Sequence, residues 1–483
     1  MLLEQQPHSV PWEALTYVTG HIHYGGRVTD DWDRRCVLSL LDRFYCEDAL
    51  RDGYCFAAPA DEGGPMGGPV GIGDGDHGED AAATGGAMES AEGAADYVAP
   101  PPGSLDDYRT YVDALPADDA VGLFGMHENA KISHGLAEAA AVLRTIVDIQ
   151  PRLGATGGAG SSESTAASLA LRLTEELPAP LLRSEALRGS LGTVGEDGHV
   201  DVGALTSLQL VLLHEIEHFN TLIATIARSL EDLQLAISGA LVMSADLERM
   251  LSSMLRGEVP AMWAKVAYPS LKPLGSWYSN LQERVAFMRG WLVGYRPPER
   301  FALPHFFMPQ GFLTGVLQMH ARKHRTPIDF LAFAYKLLDE PSPEILASAA
   351  THQKAVAKPG GARADADGAD AFVPAPPPED GVFVEGLYLA GARYNRTLRE
   401  LQPPRSKQMV DPLPAIHFLP VEGHVRDEGS YECPLYKTSA RAGTLSTTGA
   451  STNFIVALEV PTPRAPADVW IRMGVAAICS TAD

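Results

Sequence analysis

His214-Glu215-Ile216-Glu217-His218 is the sharpest chemical pattern in this 483-residue protein. It matches HExxH, in which two histidines one helical turn apart hold zinc and the glutamate beside them activates a metal-bound water. That chemistry requires a helix, and the flanking residues predict one. Leu212, Ile216, Phe219, Ile223, Ile226, Leu230, Leu233 and Ile237 recur at steps of four and three, the 3.5-residue seam of a long packed helix over about 205–237. The same seam argues against zinc. With Ile216 and Phe219 at its a and d positions, His214 falls at f and His218 at c, opposite the apolar stripe, while Glu215 falls at the flanking g position. The third-ligand position of the extended motif is Ala224 and its glycine position is Thr221. Nothing selects Glu231 or Glu248 as a replacement. The expectation is a solvated helix face, with a zinc metallopeptidase using His214, Glu215 and His218 as the alternative function.

Other chemical patterns reduce to structural signals. No G-x-x-x-x-G-K-[ST] phosphate loop occurs; Gly25-Gly26-Arg27 lacks the lysine, and Lys437-Thr438 has no glycine loop before it. Thr29-Asp30-Asp31-Trp32-Asp33-Arg34-Arg35 has the acids of a metal site, but Thr29 as N-cap followed by first-turn carboxylates explains them. Arg322-Lys323-His324-Arg325 fits a helix C-terminus, where cations are favoured, with contact to an acidic partner surface as the second reading. Trp263, Trp277, Trp291, Phe306 and Phe307 read as core, and 446–452 (STTGAST) as a hairpin connection. No catalytic, cofactor-binding or metal-ligating residue is therefore expected.

Composition sets the frame for these motifs. The formal charge is −23. Residues 51–100 hold ten Asp and Glu against Arg51 alone, so the excess is concentrated there. An acidic protein without a broad basic face is not built to bind nucleic acid. The start, MLLEQQPHSVPW, lacks the basic and apolar regions of a secretory signal. No apolar run approaches membrane-spanning length, so no membrane association is expected. Cys36, Cys46, Cys55, Cys433 and Cys479 form no CxxC pair, which points to reduced thiols in a soluble intracellular protein.

Three low-complexity stretches, about 51–101, 154–166 and 341–378, read as loops or linkers. Between the first and the last, the sequence reads as helical. Besides the long helix, helices are expected over about 244–256, through Trp277, Leu281, Val285, Met288 and Trp291, and over about 309–325. After Pro378 the pattern becomes short β-rich runs at 381–389, 415–421, 431–438, 453–460 and 469–479. The fold class is α+β: a helical bundle with a long helix, then a small antiparallel β-barrel-like unit at the C-terminus.

Several segments resemble one family. Pro11-Trp12-Glu13-Ala14-Leu15 and Tyr24-Gly25-Gly26-Arg27 through Arg35 resemble the end of the helical lid of the sixth AAA+ module in dynein heavy chains. Phe124-Gly125-Met126-His127-Glu128-Asn129-Ala130 is similar to the segment that follows. The run from Glu215 to Trp277, with Tyr268-Pro269-Ser270-Leu271-Lys272-Pro273, resembles the family's long C-terminal helices, as do Gly311–Gln318 and Asp380–Val384. Tyr431-Glu432-Cys433-Pro434-Leu435-Tyr436-Lys437-Thr438-Ser439 and Gly443–Gly449 resemble the axonemal type.

This resemblance implies a division into the end of the lid (1–50), an acidic insert (51–101), the helical part of the dynein C-terminal domain (102–340), a linker (341–378) and its β-rich part (379–483). It implies a structural and regulatory part of an ATP-driven, minus-end-directed microtubule motor, packed across one face of the AAA+ ring. Hydrolysis sites with their ATP and Mg, and the microtubule-binding tip, lie upstream in the family. The protein itself is therefore expected not to be an enzyme, and to represent a fragment or a truncated gene model. Its implied partners are the upstream ring and, through the full motor, dynein intermediate and light intermediate chains and microtubules. The implied location is the ciliary or flagellar axoneme.

Overall fold

The structure, a computed structural model, describes residues 10–28, 30–51, 53–56, 97–117, 119–149, 159–182, 205–294, 297–338, 378–441 and 451–481. Helices α1 (Trp12–Tyr17) and α2 (Asp31–Phe44) come first, joined by a π-helical turn over Val18–His23. The cap of α2 is Asp30, whose carboxylate accepts from Trp32 N at 2.9 Å; Thr29, expected in that role, lies outside the described residues. Most of the acidic insert also lies outside them, but its flanks are paired. Phe56 N donates to Tyr97 O at 3.0 Å and Ala99 N to Tyr54 O at 2.7 Å, so the backbone leaves at Phe56 and returns at Tyr97 side by side.

Helices α3 (Leu105–Asp113), α4 (Asn129–Ile149) and α5 (Ala159–Glu175) follow. The stretch expected as a loop at 154–166 is helical from Ala159 onward, because its small residues allow Ala166 and Ala170 to bury against neighbours. The long helix α6 (Ser207–Ile237) is about 46 Å long at 1.5 Å per residue. Thr206 and Gln209 form a reciprocal capping box at its start. Its predicted seam is buried from Leu212 to Leu233, and each such residue contributes on the order of 2 kcal/mol. Around it pack α5, α7 (Ala245–Leu255), the single turn α8 (Ala261–Ala264), α9 (Leu274–Gly294) and α10 (Pro309–His324). The five expected core residues of α9, from Trp277 to Trp291, are all buried. No helix among the described residues is long and apolar enough to cross a membrane.

The sheets depart from the expected barrel. One has four strands in the order β1 (Arg300–Ala302), β3 (Val382–Glu385), β8 (Ile416–Glu422), β2 (Leu331–Leu337). A second has five, β10 (Phe454–Pro461), β9 (Ser430–Tyr436), β11 (Ala476–Ile478), β4 (Tyr388–Ala390), β7 (Val410–Pro412). A two-stranded ribbon joins β5 (Arg393–Asn395) to β6 (Glu400–Gln402). The architecture is mixed α+β, and the sheets among the described residues form no closed barrel. Nor are they purely antiparallel: β1 pairs with β3, and β11 with β9, in parallel. Both exceptions come from connections that sequence periodicity hid. Strands β1 and β2 sit inside the segment read as helical. The run at 469–479, read as β, starts as helix α11 (Ala467–Arg472), which turns the backbone so that β11 returns parallel to β9.

Candidate functional site

The HExxH pentapeptide lies on α6 as predicted, with His214 and His218 exposed and Glu217 beside them. Glu215 does not flank the seam; it is buried, with 1% exposure. Its carboxylate is engaged by backbone amides. Oε2 accepts from Phe307 N at 2.6 Å and Oε1 from Met308 N at 2.8 Å. These N–H groups precede Pro309, the first residue of α10, whose N-cap Met308 makes no side-chain capping bond. Glu215 therefore caps α10 from another helix, where the dipole favours an anion. Burial pushes its carboxyl up to about 7, against the pull of the two N–H donors, Arg284 and Lys437. The ring of His218 stacks on Phe307, centroids 4.9 Å apart. The glutamate is turned into the core and one histidine packs on an aromatic ring, an arrangement unlike that of a zinc peptidase.

Arg284 on α9 completes this junction. It is buried, donates from Nε to Asn280 Oδ1 at 2.8 Å and from Nη1 to Phe306 O at 3.1 Å, and lies 3.6 Å over the ring of Tyr268. Residues 306–308 are thus gripped on both polar sides, their carbonyl by a guanidinium from α9 and their amides by a carboxylate from α6. A buried charge is tolerated only with such partners.

A second junction joins the N-terminal helices to the C-terminal sheet. Arg35 on α2 donates to Glu432 O from both terminal nitrogens at 3.2 Å and to the Tyr431 hydroxyl at 3.3 Å. Its guanidinium also lies 4.5 Å from the Trp32 ring centroid. Trp32 in turn meets Phe454 on β10, centroids 5.5 Å apart, and Arg472 on α11 donates to Ser39 Oγ at 3.2 Å. The Asp-Trp-Asp-Arg-Arg cluster thus reaches the C-terminal sheet through Trp32 and Arg35.

A third junction sets the direction of α4. Asn129 is buried at 7% exposure and donates to Arg405 O at 2.8 Å and Gln408 O at 2.9 Å, while accepting from Lys407 N at 2.8 Å. Lys407 holds a left-handed backbone at φ 65°. Beyond this anchor α4 meets few of the described residues: every described side chain from Lys131 to Ile146 is exposed. Along one side run Ile132, Leu136, Ala139, Leu143 and Ile146 at steps of four and three, with Leu136 and Leu143 each 63% exposed.

The remaining motif residues find their partners within the molecule. In the basic run, Arg322 donates to Leu205 O at 3.3 Å and Lys323 to Asp380 Oδ1 at 2.7 Å, so these cations are spent internally. Most of the 446–452 hairpin connection lies outside the described residues. Sequence reasoning missed Arg284, Asn129, Arg35 and Asp380, each of which reaches a partner 22 to several hundred residues away. It missed the α4 stripe too, although that carries the same four-and-three spacing that revealed α6.

The sequence matches known families and proteins over most of its length. Residues 136–479 match the C-terminal domain of dynein heavy chains, and residues 1–66 match their AAA lid domain. Dynein axonemal heavy chain 6 of Homo sapiens is 37% identical over 479 residues, covering 98% of this chain and 10% of that protein. Dynein axonemal heavy chain 12 of Rattus norvegicus is 36% identical, over 98% of this chain and 13% of its own length. Dynein axonemal heavy chain 3 of Mus musculus is 36% identical, over 97% and 10%. The chain spans about a tenth of the length of these relatives. With the lid matched over 1–66, the C-terminal domain over 136–479, and a relative 37% identical across 98% of its residues, the chain belongs to the dynein heavy chain family.

Proposed function

We propose that this chain is the C-terminal structural and regulatory segment of an axonemal dynein heavy chain, acting in an ATP-driven, minus-end-directed microtubule motor without a catalytic site of its own. The observation that carries this reading is α4, which is fixed at Asn129 and then presents an apolar stripe to solvent. Exposed leucines at helical spacing over several turns fit a surface that another helix covers. Leu105 and Val112, seven residues apart on α3, are exposed apolar residues as well. The occupant proposed for it is the upstream AAA+ ring of the same heavy chain, which the relatives' far greater length leaves room for.

In this reading residues 1–50 end the sixth lid, 102–340 and 379–483 form the C-terminal domain, and 51–101 and 341–378 are insertions. ATP and Mg belong to upstream modules. Intermediate and light intermediate chains and microtubules are reached through the full motor, in a ciliary or flagellar axoneme. No P-loop sequence occurs in these 483 residues. The buried Glu215 supports the non-catalytic reading, because its oxygens are committed to capping α10. The purified protein should therefore show no ATP turnover above buffer and should stay in the supernatant when microtubules are sedimented. Steady ATP hydrolysis that survives repurification would refute the assignment.

A further inference from the structure

His320 and His324 lie one turn apart at the C-terminal end of α10, and the segment entering β3 brings Asp380 against both. His324 Nε2 lies 3.1 Å from Asp380 Oδ1, and His320 Nδ1 lies 3.7 Å from the same oxygen. One ligand atom from each of the three residues fits within 4.8 Å of the others. Zinc bonds of about 2.0–2.1 Å at tetrahedral angles set neighbouring ligand atoms roughly 3.3–3.4 Å apart, and the two measured spacings bracket that value. We propose that His320, His324 and Asp380 form a site for one divalent transition metal ion of the zinc type, with a fourth position for water. Two imidazoles and one carboxylate suit zinc, cobalt or nickel better than the all-oxygen cations magnesium and calcium.

Three further observations fit a ligand here. His320 Nδ1 is buried and makes no hydrogen bond, so an unsatisfied ring nitrogen sits inside the cluster. The two histidines stand at the C-terminal end of α10, where the free carbonyls favour positive charge. Asp380 is held in position from its own backbone: His417 Nε2 lies 2.8 Å from Asp380 O. The next residue, Gly381, has φ 75°, and a Cβ there would stand 2.2 Å from Phe418 O, so the turn that presents Asp380 requires glycine.

Lys323 is the competitor. Its ammonium donates to Asp380 Oδ1 at 2.7 Å and to Glu379 O at 2.9 Å. A bound cation takes Oδ1, and the flexible lysine stem lets the ammonium keep the Glu379 carbonyl. The site thereby fastens the end of α10 to the start of β3, on either side of residues 339–377. It is separate from the HExxH histidines of α6.

The test is Co²⁺ and Zn²⁺ titration of the untagged full-length protein, following cobalt absorption bands and zinc binding heat. The expected result is one ion per molecule, with a ligand-field spectrum of low coordination number. Changing groups that merely orient ligands costs about 10–100-fold in affinity, so His324→Ala and Asp380→Asn should each weaken binding by at least about 100-fold. Circular dichroism confirms that each variant is folded, and His324 is partly exposed, so its loss spares the core. Lys323→Gln should tighten binding, an effect that a plain ion-pair network would not produce. The double variant His214→Ala/His218→Ala should bind like wild type. Absence of binding by the wild-type protein overturns the proposal. So does binding that survives His324→Ala but is lost in the His214/His218 variant.

Discussion

Replacing Asn129 by alanine tests how the fold aims α4. The side chain makes three part-buried hydrogen bonds, two to the carbonyls of Arg405 and Gln408 and one from the amide of Lys407. Each contributes about 0.5–1.5 kcal/mol net, so their loss costs roughly 3 kcal/mol. Lys407 adds to the effect, because its left-handed φ of 65° is a conformation a lysine holds only when its surroundings impose it. Without the Asn129 acceptor the 405–408 turn should relax. Hydrogen–deuterium exchange reads this directly. At 1.4 kcal/mol per factor of ten, amide protection over 405–408 should fall about 100-fold. Peptides from α9 should exchange as in wild type. Asn129→Asp sharpens the test, since it keeps an acceptor for Lys407 N but sets carboxylate oxygens against two carbonyls. It should be at least as disruptive as alanine. Wild-type protection over 405–408 in both variants would refute the anchoring role.

The other junctions make their own demands on pH and on proteolysis. The Glu215 carboxyl, held by burial at about 7 rather than its ordinary 4.5, binds its proton more tightly in the folded protein. Its contribution is fully present below about pH 4.5 and is lost as pH rises to about 7, a change of order 3 kcal/mol. Relative to Glu215→Gln, which does not titrate, the wild-type melting temperature should therefore fall between those pH values; parallel profiles would contradict it. Arg35→Ala removes the bonds to Glu432 O and Tyr431 and the stacking on Trp32, and should loosen α2 by about 2–3 kcal/mol. Limited proteolysis should then cut within 31–44 faster while β9 stays protected. Arg35→Lys should not restore resistance, because one ammonium cannot make the paired contact.

Local periodicity made much of the helical half legible. The seam of α6 and the core face of α9 followed from residues three and four apart, which meet on one helix face, and the end of α7 from Gly257 with Pro260 beyond. Glu215 shows where that reasoning stops. Its heptad position set it beside the seam, but amides more than ninety residues away in sequence pulled it into the core. The run at 469–479 misled for a related reason. Val469, Trp470 and Ile471 are β-prone, yet Pro466 and Asp468 start a helix whose Trp470 is buried and bonded to Thr462. Strands β1 and β2 were hidden because each is completed by a partner beyond residue 378. Arg35, Asn129 and Asp380 carry no spacing signal at all; topology alone brings them to their partners.

On the proposed function, α4 offers a surface made to be covered by the rest of a dynein heavy chain. The affinity of this protein for a purified fragment of the upstream AAA+ ring reads that directly, compared between wild type and a variant carrying Leu136→Glu, Leu143→Glu and Ile146→Glu. All three side chains are already exposed, so the variant should melt like wild type. It should also lose at least about 100-fold in affinity, as expected when charges replace apolar anchors at the centre of an interface. Equal binding by the two proteins, or no binding by the wild type, would show that the α4 stripe is not a ring-facing surface.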